Sequence, residues 1–266
     1  MDITARTVAN QIFTTFEATG IQAPKQLSEA HARAIMLDTA ARTLGASNGG
    51  GLGVAVTAAL DDGRDPAADP EVQRLLAARA MASDYNLADQ VTGAAHEQVR
   101  EVCHEHADAI VQAWAEPFDQ AAATLTAARE RLGAVPLDDS ATILRLGDDI
   151  ADVWAAAQRA VSSIDTIVSG WSALGTLTRL VAPNPNYRPL QLAEVSYDQW
   201  QAAGLRGKKP KPWELVIVGL TLSLPSFSEY KRRVAAIEQA EREPVTVIDT
   251  ERSSVAGREI RVPAPH

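Results

Sequence analysis

Apolar residues recur along most of this chain in steps of three and four, the spacing that lines one face of an α-helix. Near the start, Ala5, Val8, Ile12, Phe13 and Phe16 follow it, and Gly20 with Pro24 marks a stop. A second stripe of Leu27, Ala34, Ile35, Ala41 and Leu44 closes at Gly45. Ser47 to Gly53 is a glycine-rich connection, and Val54 to Leu60 is apolar enough to predict a short buried helix. Asp61 to Pro66 reads as a loop. Asp69-Pro70-Glu71 reads as a helix start, because aspartate accepts from orphan N–H groups, proline needs no partner at the first helical position, and glutamate complements the dipole.

From that cap an unusually long stripe runs through Leu75, Ala78, Ala82, Tyr85, Thr92, Ala95, Val99, Val102, His106, Ile110, Trp114, Ala121, Leu125, Ala128 and Leu132. Such a seam belongs to a helix packed lengthwise on another. Pro117 predicts a kink or restart between Trp114 and Phe118, since its ring clashes with the preceding turn. Gly133 closes the element and Val135 to Ser140 turns the chain. A second seam then runs through Ile143, Leu146, Ile150, Val153, Ala157, Ala160, Ile164, Ile167, Trp171, Leu174, Thr178 and Val181. Two long seams joined by a short turn predict an antiparallel helical hairpin with coiled-coil-like packing.

Pro183 to Pro189, with three prolines, is a hard stop and a domain boundary. Beyond it, Tyr197 to Ala203 suits a short helix, and Arg206-Gly207-Lys208-Lys209-Pro210-Lys211-Pro212 an exposed basic loop. Residues 213–224 fit either a strand or a buried helix, and the helical surroundings favour helix. Ser226 to Glu243 is a charged amphipathic helix, and Val245 to Ile248 with Glu259 to Val262 suggests a small β-hairpin. The predicted fold is therefore mainly α: short helices over 1–68, a long antiparallel helical hairpin over 69–182, and a smaller C-terminal α+β segment over 183–266.

Composition narrows the function. Of 266 residues 46% are hydrophobic but only 5% aromatic, which suits extended helix packing better than one thick core. Met1 to Thr4 lacks the basic and apolar regions of a secretory signal, and the apolar run Leu215 to Leu222 is too short to span a bilayer. With Cys103 as the single cysteine no intrachain disulfide can form, so the cytoplasm is the expected compartment. A net charge of −9 makes nucleic acid an unfavoured partner. The charge is uneven, with 12 basic and 10 acidic residues from Arg188 onward against 13 and 24 before it. The two regions are expected to face different partners.

Candidate chemistry is sparse. His96, Cys103 and His106 share a helical face, and thiolate with imidazole is a zinc-like ligand set. Spacing of i and i+7 separates side chains by about 10 Å, too far for one ion, so only Cys103 and His106 could pair. His104-Glu105-His106 lacks the two-residue gap of the zincin motif. Gly49 to Gly53 has neither the following Gly-Lys-Ser/Thr nor the βαβ context of a phosphate loop. In the acidic run Asp61 to Glu71, Gly63 stands third where a calcium loop needs its glycine sixth. Asp138-Asp139 and Asp148-Asp149 are explained by helix starts and a solvated face, and no Gly-x-Ser-x-Gly elbow is present. No catalytic residue and no cofactor is implied.

The strongest interaction candidate is the basic group of Arg206, Lys208, Lys209, Lys211, Trp213, Lys231, Arg232 and Arg233, suited to an acidic protein surface. The acidic, alanine-rich, helical chain with a basic C-terminal part resembles phage scaffolding or virion-assembly proteins in composition and layout. Tyr85-Asn86-Leu87-Ala88-Asp89 resembles the Tyr-x-x-x-Asp export signal of type VII helical-hairpin substrates. Here it opens a long helix and no Trp-x-Gly turn accompanies it, so the chain is not placed in that family. The leading expectation is a non-enzymatic structural or interaction protein that self-associates or docks an acidic protein. The alternatives are a helical ligand- or metal-binding protein or enzyme with a site near Cys103, His106 and Trp114, and nucleic-acid binding through the loop 206–211.

Overall fold

The structure, a computed structural model, describes residues 3–46, 51–83, 85–147, 150–182 and 184–242. It is mainly α. The N-terminal helices are α1 (Ile3–Thr19), α2 (Lys25–Ala46), α3 (Leu52–Asp61) and α4 (Pro70–Ser83). They are followed by α5 (Tyr85–Glu105), α6 (Ala107–Leu132), α7 (Ser140–Leu144) and α8 (Ile150–Thr178). A 3-10 segment over Pro185–Gln191 leads to α9 (Tyr197–Ala202), α10 (Pro212–Ile217) and α11 (Phe227–Arg242). Among the described residues the only strand-like pairing is one antiparallel bridge, Ala193 to Leu222.

Local chemistry sets several of these boundaries. Asp69 Oδ1 accepts from the N–H groups of Glu71 and Val72 at 2.9 and 3.1 Å, capping α4 with Pro70 as its first residue. Asp139 caps α7 by accepting from Thr142 N at 3.0 Å. Gly133, at φ +63°, closes α6 while its N–H donates to Arg129 O at 2.8 Å.

Both long seams are the core. Ala95, Val99, Ile110, Trp114, Leu125 and Leu132 share one buried cluster with Ala157, Ile164, Ile167, Trp171 and Leu174, and it also takes in Ile12, Phe16 and Leu27. Helix α6 packs along α8, α1 lies on α8, and α2 lies on α5. The α1–α8 contact is close: a β-carbon at Gly170 would fall 2.3 Å from Thr15 Oγ1. Arg6 joins α1 to α2 by an ion pair of 3.1 Å with buried Asp38.

The expected long arms are not continuous. The first arm is interrupted between α5 and α6, and the second has α7 and a turn at 145–146 ahead of the helix described from Ile150. Pro117 neither ends nor restarts the helix, since α6 runs through it. The joint lies instead at His106 (φ −102°, ψ 12°), where His106 N still donates to Val102 O and Ile110 N to His106 O. The backbone bonding thus carries across a bend placed where the partner changes from α2 to α8. Residues 213–224, expected as helix, are helical only to Ile217; Gly219 at φ +86° then turns the chain into an extended stretch that pairs through Leu222. The expected β-hairpin, 245–248 with 259–262, lies outside the described residues.

Candidate functional site

Cys103 and His106, the weak metal candidates, sit at the end of α5 and at its joint with α6. Cys103 is fully buried, and burial pushes its thiol up to about 12, so it stays protonated and is a poor ligand. His106 is half-buried. Neighbouring His104 is exposed, with Nδ1 3.3 Å from Thr178 O at the end of α8. Trp114 is wholly buried against Phe16, their rings 5.2 Å apart, and offers no surface to a ligand. Among the described residues no group of three or more His, Cys, Asp or Glu could hold a metal ion.

The basic group divides sharply. Trp213 is buried and its indole N–H donates to Val135 O at 2.9 Å, tying α10 to the turn after α6. Arg233 is buried as well, donating to Glu229 Oε1 at 2.5 Å, Ser223 Oγ at 2.9 Å and Leu190 O at 3.3 Å. Both hold the C-terminal segment together and neither is free to dock a partner. Arg206, Lys208, Lys209 and Lys211 are exposed around one loop. Arg206 pairs with Glu241 at 3.4 Å, and Lys208 Nζ donates to Ala203 O at 3.2 Å. Lys231 and Arg232 are exposed on α11, with Arg232 3.9 Å from Glu229. The remaining cationic surface is real but smaller than the sequence suggests, and carboxylates interrupt it.

A groove of about 490 Å³ lies between α1 and α8, lined by Thr19, Gln158, Arg159, Ser162, Ser163 and Thr166. Its hydroxyl protons are largely spent on backbone: Ser162 donates to Gln158 O, Thr166 to Ser162 O and Thr19 to Thr15 O. Among the described residues Arg159 is its one charged lining group, and none of them pairs a nucleophile with a base.

In comparisons with known proteins, no family model, no curated protein and no solved structure matches this chain. The site has to be read from its own geometry.

Two features escape the sequence reading. The His31 ring stacks on Phe13 at 3.7 Å between centroids, and burial, then His96, lowers its pKa while Glu17 opposes the shift. Isolated histidines on different helices carry no sequence signal of such a meeting. The other is α3, expected to be buried. Within it only Ala59 is buried; Val54 and Leu60 are 73% and 60% exposed. Ile35 and Met36 on α2 and Leu76 on α4 are also exposed, so the uncovered large apolar side chains concentrate on α2, α3 and α4. No described helix is long and apolar enough to cross a membrane.

Proposed function

We propose that this protein is a non-enzymatic assembly protein that self-associates through its α2–α4 end, with α6 and α8 acting as an antiparallel spacer. Phage- or prophage-type scaffolding and virion proteins are the class whose composition and layout it shares, and a reducing cytoplasmic setting suits its lone thiol. The observation that supports self-association is α3: nine residues from Leu52 to Leu60 without a charge, packed on α4, with Gly53, Val54, Thr57, Ala58 and Leu60 exposed. A helix of this kind belongs in an interior, and when its own chain does not supply one, a second chain does. Light scattering or sedimentation across micromolar concentrations tests this; the average mass is expected to rise with concentration, and a strictly monomeric mass throughout overturns it.

The exposed cations Arg206, Lys208, Lys209 and Lys211 favour an acidic protein as a second partner. Polyglutamate is expected to bind in a salt-dependent way that weakens when Lys208, Lys209 and Lys211 become glutamine, while a single-stranded oligonucleotide, repelled by the net charge of −9, binds less well. The reverse order would favour nucleic acid.

A further inference from the structure

The exposures along α3 define one face. Taking 100° per residue, Gly53, Val54, Leu60 and Asp61 all fall within about 60° of Thr57, and all five are exposed, whereas buried Ala59 points the opposite way. The face is smooth at its centre. A β-carbon at Gly53 would meet nothing within 4 Å, and the Thr57 hydroxyl donates to Gly53 O at 2.9 Å, leaving its methyl group outward. The hairpin that presents this face is held at its tip. Arg64 bridges Asp62 and Asp69, Asp65 Oδ1 accepts from Ala67 N at 3.0 Å, and Gln73 Nε2 donates to Ala67 O at 2.8 Å.

The ends of the helix are complementary to each other. Gly51 precedes α3 and has no side chain with which to cap it, and no acidic residue lies in the first turn. Among the described residues, its partly positive N–H groups therefore meet no capping side chain and no acidic group of the first turn. Asp61 and Asp62 stand at the opposite end, at the negative pole. We infer that α3 pairs with α3 of a second copy, antiparallel about a two-fold axis at Thr57. Val54 then meets Leu60 of the other chain, and Asp61 reaches the uncapped turn at Gly53 of the other chain. The two helices are each about 15 Å long, so both ends are matched at once.

Charge favours this occupant over others. Two copies of a chain at −9 repel wherever acidic faces meet, and α3 brings no side-chain charge to its centre. A lipid surface suits it less, because Asp61, Asp62 and Asp65 crowd one end and no basic residue precedes Arg64 on the hairpin. The interface is smaller than that of a permanent dimer, so a reversible association is expected.

This pairing rests on the self-association proposed above, and the test separates the two. Thr57→Cys in the full chain, oxidised mildly with diamide, is expected to form a disulfide-linked dimer, since Thr57 faces its own copy; Cys103 is buried and does not compete. Ser228→Cys, exposed on α11, is the control and is expected to remain uncrosslinked. Adding Val54→Glu to Thr57→Cys is expected to cut cross-linking at least about tenfold, equivalent to a tenfold weaker association, with an unchanged helical circular-dichroism spectrum because Val54 touches no core. If wild-type mass rises with concentration but Thr57→Cys does not cross-link, the α3 pairing is overturned and self-association stands. If the wild type is monomeric, both fall. Flotation with phosphatidylcholine vesicles that Val54→Glu abolishes would overturn the pairing in favour of lipid.

Discussion

The His31 ring lies flat on Phe13, their planes within 13° of each other, at a junction where α1 contributes Phe13 and Glu17 and α5 contributes His96. Burial is the main reason its pKa is lowered from the ordinary 6.5, with His96 adding to the effect and Glu17 opposing it. The unfolded chain then takes up the proton more readily than the folded one. Stability from this site is full above pH 6.5 and falls as pH drops through the ordinary value toward the lowered one. Melting temperatures at pH 5 and pH 8 are expected to differ less in His31→Gln than in wild type. Gly170 is the other single position where the packing leaves no choice, because a β-carbon there would also lie 2.7 Å from Thr15 Cβ on α1. Gly170→Ala is expected to cost about 1–3 kcal/mol through overpacking, measured by urea denaturation. Neither residue stands out in the amino-acid order, since each matters only through a neighbour more than ten positions away.

Among the elements, the cap residues were legible because their chemistry is local: Asp69, Asp139 and Gly133 act within four residues of themselves. The C-terminal basic helix was read less well. Sequence pattern put Lys231, Arg232 and Arg233 together as one cationic run, yet in α11 they point in different directions. Arg233 turns inward, where it serves Glu229, Ser223 and Leu190 and joins α11 to the 3-10 segment. Arg233→Met is expected to destabilise the protein by about 2–3 kcal/mol, since Glu229 keeps some water contact, whereas Arg232→Met, at a 74% exposed side chain, is expected to change stability little. Urea midpoints of the two variants check the contrast.

Across the whole molecule, tryptophan N–H groups fasten irregular segments to the helices. Trp171 donates to Pro225 O at 2.8 Å, Trp154 to Leu137 O at 2.8 Å and Trp213 to Val135 O at 2.9 Å. Trp171 also packs on Phe227 and Tyr230 at 4.8 and 5.2 Å. The buried cluster therefore runs without interruption from Ala9 to Ile237. Unfolding followed by tryptophan fluorescence and by far-ultraviolet circular dichroism is expected to give coincident transitions; two separated steps would show that the C-terminal segment melts by itself.

The amino-acid order alone determined that the chain is helical, where most helices start and stop, and most of the residues that face inward along the two long seams; Leu146, read into the second seam, is instead exposed in the turn before α8. These depend on 3.6-residue periodicity and on caps, both of which act over one or two turns. Tertiary structure decided the bend at His106, the burial of Trp213 and Arg233, and the exposure of α3. Each of these depends on which surface arrives from a distant part of the chain. An apolar helix records that it needs cover, but its own sequence does not say whether that cover comes from the same molecule.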